Sequence, residues 1–190
     1  MANVAMTVPT LLTDPGFLYW APLATAIPTN TVAAAKYTDV WTAPWVPLGA
    51  TDSGTDFNYT STVSAVSVAE YLDPIAYRTT DRNGNFAFAL ASITAVNLTK
   101  ALNGATTSVT GTGATQSTQI SPPAIGSEVR CMIGWESLDQ QVRIIGYQCI
   151  NSGTIKLSMN KAPARTTIPF TFNFEIPAST GKPFDIFTTR

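Results

Sequence analysis

The run from Phe57 to Val68 constrains this chain more than any other stretch. Its odd positions are Phe57, Tyr59, Ser61, Val63, Ala65 and Ser67, and its even positions are Asn58, Thr60, Thr62, Ser64, Val66 and Val68. The larger apolar groups begin on one side, which is the two-residue period of a strand with unlike faces. Near Val66 they move to the other parity, so a bulge or an edge is expected where the buried face switches. A short apolar run, Trp45 to Leu48, precedes it through a turn at Gly49 to Gly54, and Asp73-Pro74 breaks the chain after it. Phe86, Phe88 and Leu90 then form a second two-periodic face with alanines between them.

A helix is expected directly after that face, over about 92–103. Ser92 stands where an N-cap belongs. Ile93, Val96, Leu98, Ala101 and Leu102 approximate one helical face, and Asn103-Gly104 suits a left-handed cap. One helix of roughly 16 Å can cover part of a sheet and no more. The chain is therefore read as all-β with one helix. Its 29 Thr residues and frequent Val, Ile and Phe favour strands, and 13 Pro and 12 Gly punctuate them at short intervals. A chain of 190 residues fits one domain that buries roughly 70% of its unfolded surface.

Charge narrows the function. Only 12% of residues are charged, about half the usual share, and the net charge is -1. Such a surface is kept soluble by threonine, serine and asparagine, or it is covered by copies of itself, and the second is favoured. No basic stripe is available for phosphate contacts, which argues against an affinity for nucleic acid. No apolar run approaches the ~20 residues of a membrane span. The opening MANVAMTVPTLL lacks a basic leader, so no secretory signal is expected. Without secretion, Cys131 and Cys149 are read as buried free thiols rather than a disulfide.

Around this centre the chain is less regular. Met1 to Leu12 has no clear period; it is either a frayed tail or an arm that docks on a neighbour. Asp14-Pro15-Gly16 is a turn before a short strand at Phe17 to Trp20. Trp41 and Trp45, set among prolines, pack under a loop or form an exposed apolar patch. Ala105 to Ser127 carries no charge and reads as a long loop with one edge strand near Thr107 to Thr110. Glu128 to Glu136 and Gln141 to Ile150 flank a hairpin turn, with Val129, Cys131, Ile133 and Trp135 on one side. A strand is expected at Thr154 to Met159. Ile168, Phe170, Phe172 and Phe174 make the cleanest half-buried strand, within Thr166 to Ile176, and Phe184 to Phe187 closes the chain.

Catalytic chemistry finds little to use. There is no histidine, so the commonest general base and metal ligand are missing and no serine triad can form. Glu70 and Asp73 beside Pro74 read as a solvated turn, and Asp52 and Asp56 flank Gly54 in another. Gly111 and Gly113 are followed by neither a third glycine nor a lysine, so they make no phosphate cradle. Arg78, Arg82, Arg130, Arg143 and Arg165 are read as inter-strand or inter-subunit ion-pair partners. No catalytic residue, cofactor or metal is expected, and the chain is read as not an enzyme.

The order of these features resembles a known family. Pro15-Gly16-Phe17-Leu18-Tyr19, Trp45-Val46-Pro47-Leu48-Gly49-Ala50-Thr51 with Gly54, and the strand into Glu70 with Pro74 next carry the first half. Phe86-Ala87-Phe88-Ala89-Leu90 running into Leu98-Thr99-Lys100-Ala101-Leu102-Asn103-Gly104 carries the second. Ala164-Arg165 before Ile168-Pro169-Phe170-Thr171-Phe172, and Gly181-Lys182-Pro183-Phe184, complete it. Together they are similar to the major tail tube proteins of long, non-contractile-tailed bacteriophages.

That resemblance implies a single tail-tube domain over 1–190: an N-terminal arm and loop at 1–40, then a β-sandwich, barrel-like, at 41–190. It implies hexameric rings whose strands join into one barrel and stack into a tube that delivers DNA to the host. The protein would then sit in the virion tail after assembly in the host cytoplasm. Its partners would be itself, the tape measure, distal tail and tail terminator proteins, and DNA in transient, non-specific passage, with no membrane. Trp45, Phe57, Tyr59, Val63, Val66, Val68 and Glu70 would build the ring. Phe17, Tyr19, Trp20 and Trp41 would serve stacking, with the 105–125 loop as a further candidate. A head-tail joining or capsid decoration subunit is the alternative. A carbohydrate-binding β-sandwich using Trp41 and Trp45 as its platform is a third class.

Overall fold

The alternating runs do become strands, and one of them carries the architecture. The computed structural model describes residues 15–157 and 166–189. In chain order the elements are β1 (Gly16–Pro22), β2 (Val32–Ala33), β3 (Lys36–Tyr37), β4 (Val46–Pro47), β5 (Thr51–Val66) and β6 (Ala76–Leu90). Helix α1 (Ala95–Ala101) follows, then β7 (Thr106–Thr110), β8 (Ser117–Ser121), β9 (Cys131–Ser137) and β10 (Val142–Asn151). β11 (Ile168–Phe174) and β12 (Phe184–Thr188) end the fold, which is mainly antiparallel β.

The principal sheet runs β4-β1-β9-β10-β11-β6-β5. β10 makes the corner. Its first half, Val142 to Gly146, pairs with β12, and its end, Cys149 to Asn151, pairs with β11. A register shift between Gly146 and Cys149 against β9 lies between these two pairings, as bulges do where a strand bends. Leu18, Ile133, Trp135 and Ile144 from one side of the corner share a core with Phe86, Phe88, Leu90, Ile168, Phe170 and Phe172 from the other. The two-period faces read from Phe86 and from Ile168 meet there. Phe88, Phe170 and Phe172 stack with centroids 5.1 to 6.0 Å apart, a geometry that adds to simple area burial.

β9 is buried at all seven positions, so it must be covered on both faces. The second cover is a smaller cluster of Ala21, Trp45, Met132 and Ile145, with Tyr19, Ile27, Trp41, Tyr147 and Phe187 around it. Trp45 is only 5% exposed and its Nε1 donates to the Ala26 carbonyl at 2.8 Å. Trp41 stacks on Tyr19 at 4.5 Å and donates from Nε1 to Glu136 at 2.7 Å. Of the two expectations for this tryptophan pair, packing under a loop holds and an exposed apolar patch does not.

Behind Trp41 lies a buried charge. Arg143, 1% exposed, stands in register with Glu136 and meets it at 2.8 Å. Its remaining guanidinium nitrogens reach Asn30 at 3.1 Å and the Asp39 carbonyl, with Tyr37 and Trp41 rings on its faces. Every donor pinned this way fixes the 28–42 connection to the sheet. The sequence expectation of inter-strand ion pairs is met by Arg143 and, at 3.3 Å, by Arg130 with Glu175. Arg165 lies outside the described residues.

Several expectations are corrected. The helix is shorter than 92–103, and Thr94, not Ser92, caps it by accepting from the Asn97 amide at 3.1 Å. Its inward residues are Asn97 and Ala101, one turn apart, while Ile93 and Val96 are exposed. Asn97 is inside because its amide feeds the Leu48 and Ser92 carbonyls, an anchor that apolar periodicity does not register. The left-handed end is where expected, with Asn103 at φ 53° and Gly104 at φ 89°. The 105–125 stretch is not a loop with one strand: β7 and β8 pair along their whole length as a hairpin exposed almost throughout. Val129 is exposed and precedes β9, so it does not share the side of Cys131 and Ile133. Thr154 to Leu157 is not a strand, and the rest of that expectation lies outside the described residues. Finally, Gly16 to Pro22 is no arm: β1 pairs with β9 along all seven residues. Residues 1–14 are outside the described set.

Candidate functional site: a ribbon that outruns its core

β5 has 16 residues and β6 has 15, against about 5–6 for an ordinary strand. Their pairing runs from Thr51–Leu90 to Val66–Ala76. The core does not run that far. Phe86, Phe88 and Leu90 are buried, Phe57 is half-buried, and from Asn58 outward β5 is exposed on both faces. β6 is likewise exposed from Ala76 to Asn83. Eight residue steps separate Asn58 from Val66, so about 27 Å of two-stranded ribbon projects past the last core layer.

The base of the ribbon is held by rings. Phe57 lies 5.5 Å from Phe86 and 5.2 Å from Phe184, and Tyr59 lies 5.6 Å from Phe184. Gly84 opposes Tyr59, and a Cβ there would come within 2.8 Å of the Phe174 ring. A glycine is needed because the ring occupies that space. Beyond this point the two faces differ. The face continuing from Phe57 carries Tyr59, Val63 and Ala65, with Arg82, Thr79 and Tyr77 opposite. The other carries Asn58, Thr60, Thr62 and Ser64, and its polar groups bond across the strands, as Asn58 does to Asn85 at 3.0 Å.

The irregularity expected near Val66 sits a few residues earlier, between Thr62 and Val63, where Thr80 is the extra residue on β6. The Thr80 hydroxyl lies 3.3 Å from the Thr62 carbonyl and 3.4 Å from the Ser64 hydroxyl. It does not switch a buried face, since neither face is buried there. The ribbon turns over at 67–75, where Tyr71, Leu72 and Ile75 are exposed, Leu72 completely so at 107%. Val68 is half-buried in this turn, and Glu70 stands in it as a solvated residue, not on a strand.

Among the described residues β5 also has a free edge: it pairs only with β6 and ends the sheet. Natural edges are blunted with lysine, proline or short length. β5 is long and contains neither residue, and Phe57 to Ala69 holds no charge.

The residues expected at an interface thus divide. Tyr59, Val63, Val66 and Glu70 lie exposed on the ribbon or its tip, together with Tyr71, Leu72, Ile75 and Tyr77, which were not singled out because the turn at 67–75 interrupts the alternation. Trp45 is buried in the body, so its side chain is not available to a neighbour as the chain stands, and Phe57 anchors the ribbon base. Of the four assigned to stacking, Phe17 is exposed on β1. Tyr19 and Trp41 stack on each other, and Trp20 packs against the main core with Lys100 over its ring at 5.1 Å. Trp41 and Trp45 form no open platform for a sugar.

Chemically reactive groups are shielded. Cys131 and Cys149 are free, buried and directly opposite in β9 and β10. Burial pushes the Cys131 thiol up to about 12 and holds Cys149 well above its ordinary range. Burial also lowers Lys100. Tyr147 is raised by burial first and then by Asp185, which accepts its hydroxyl at 2.5 Å. Among the described residues no three acids or cysteines gather as a metal site, and no helix is long and apolar enough to cross a membrane. Comparison with protein-family models and with curated proteins finds no match to this chain.

Proposed function

We propose that this chain is a structural subunit that completes its sheet with copies of itself, as the repeating protein of a phage tail tube. Hexameric rings would stack head to tail, and DNA would pass through the lumen on its way to the host. The observation that carries the proposal is the ribbon formed by β5 and β6, which extends about 27 Å beyond its core with, among the described residues, both faces and one edge open. An isolated two-stranded hairpin is marginally stable in water. A sequence that carries β6 through eight exposed residues, Ala76 to Asn83, in such a hairpin is built for a surface that covers it. An identical β5 edge or a neighbour's body can do so without any added partner, and the low charge of the chain permits close packing of copies. The neutral stretch from Phe57 to Ala69 suits a wall that must not hold phosphate. Tape measure, distal tail and tail terminator proteins would meet only the ends or the lumen of such a tube.

Negative-stain microscopy and sedimentation of the purified chain test this. Long tubes of constant width that pellet are the expected result. Single rings that stay in solution would move the protein to a head-tail joining role. A monodisperse monomer at millimolar concentration, under all solution conditions tried, would end the proposal.

A further inference from the structure

We infer that the ribbon tip of one copy seats in a cleft at the ribbon base of a second copy. The inference rests on the self-assembly proposed above and names the contact that would propagate it. The cleft, about 310 Å³, lies where β6 leaves the core. Phe174, Ile176, Phe184 and Tyr59 give it apolar walls, and Arg82 and Lys182 stand at its rim. Lys182 is held by Asp185 at 2.5 Å. The Arg82 guanidinium has no acidic partner among the described residues. The neighbouring Asp81 side chain instead accepts the Arg82 backbone N–H at 2.8 Å and lies on the opposite face of β6, across from Thr62.

The tip has the complementary make-up. Tyr71, Leu72 and Ile75 are exposed apolar groups, and Glu70 and Asp73 flank the first two as acids with no ion-pair partner among the described residues. An apolar plug with an acidic collar faces an apolar cleft with a cationic rim. A tip cannot reach the cleft of its own chain, because pairing runs from Tyr59–Gly84 to Val66–Ala76, interrupted only by the one-residue bulge at Thr80, and holds the two ends some 25 Å apart. The occupant therefore comes from another copy. Each copy offers one tip and one cleft, so the contact is heterologous and repeats from subunit to subunit, closing as a ring or continuing as a stack.

A cysteine pair tests the contact directly. Leu72→Cys and Ile176→Cys are placed in one chain, assembled, and treated with copper-phenanthroline, which accepts the two electrons of disulfide formation. The native cysteines are buried and do not compete. The expected result is a ladder of covalent oligomers on denaturing gels from the double variant, and none from either single variant. In parallel, Arg82→Glu should raise the concentration needed for pelleting about tenfold or more, and Glu70→Lys with Asp73→Lys on that background should restore it. Tubes without a ladder, with Arg82→Glu pelleting like the parent, would overturn the tip-to-cleft contact and leave tube assembly standing. A ladder in a chain that never forms tubes would keep the contact and remove the tube. Neither tubes nor ladder removes both.

Discussion

The two halves of β6 are one strand in two environments. From Phe86 to Leu90 every second side chain is buried and the partner strands lie on both sides, β11 and β5. From Ala76 to Asn83 no side chain is buried and, among the described residues, only β5 is beside it. The inner half repeats phenylalanine and alanine; the outer half is Ala-Tyr-Arg-Thr-Thr-Asp-Arg-Asn. The ladder to β5 runs through both halves, so it does not distinguish them; the second ladder, to β11, and side-chain burial do. Net backbone bonds contribute little to stability unless burial accompanies them. The inner half holds the fold together. The outer half is a surface that no described segment of the chain covers.

That contrast can be broken from either side. The largest effect should come from the body. Arg143→Met leaves Glu136 charged, buried and without its partner, and should cost about 3–5 kcal/mol in urea unfolding. Arg78→Met, on the outer ribbon, should change unfolding by less than about 0.5 kcal/mol; a cost like that of Arg143 would show that the ribbon is part of the cooperative fold. Asn97→Ala should come next, at about 1–3 kcal/mol, because the Leu48 and Ser92 carbonyls lose their donor.

The body also predicts a pH response. Cys131 is raised from 9.0 to about 12 in the folded chain. Its stabilising share is complete below the unfolded value and is lost as pH rises through the folded one, since the unfolded thiol releases its proton first. Unfolding free energy should therefore fall between pH 9 and about 12, by about 1.4 kcal/mol per pH unit for this thiol. Cys149 is held up by the same burial and adds to the fall, so Cys131→Ala should lessen the slope by that amount without abolishing it, and an unchanged slope would show that the thiol is not shielded as described. The smallest effect on stability is the one most informative about function. Val63→Asp, at an exposed ribbon position, should leave the unfolding midpoint within about 0.5 kcal/mol and yet abolish pelleting. Normal tubes from that variant would detach the ribbon from assembly.

Periodicity was enough where burial is one-sided. Phe86 to Leu90 and Ile168 to Phe172 could be placed on a core face from their alternation alone, because a strand with one wet face must write that difference every two residues. The ribbon could be found from Phe57 to Val68 because its larger side chains also alternate with small polar ones, although both of its faces are wet. Where it stops being covered could not, since an alternating neutral run looks the same against a core and against water. The paired β7 and β8 were hidden by their uniform threonine and serine, which give no period. The helix start was displaced because Ser92 and Thr94 are equally good caps by type, and the Asn97 amide chose between them.

By itself the sequence determined an all-β chain with one short helix, poor in charge and without histidine, because those follow from residue types and their local order. Only the tertiary structure decided that Trp41 and Trp45 turn inward, that Arg143 is sealed against Glu136, and that the long hairpin ends up outside. Glu136 is a near neighbour of Arg143 in one hairpin, but the seal over that pair comes from Asn30, Asp39 and Trp41, and where the cover over the long hairpin ends depends likewise on which distant segments meet it. Contact between residues a hundred positions apart leaves no mark in the local pattern of either.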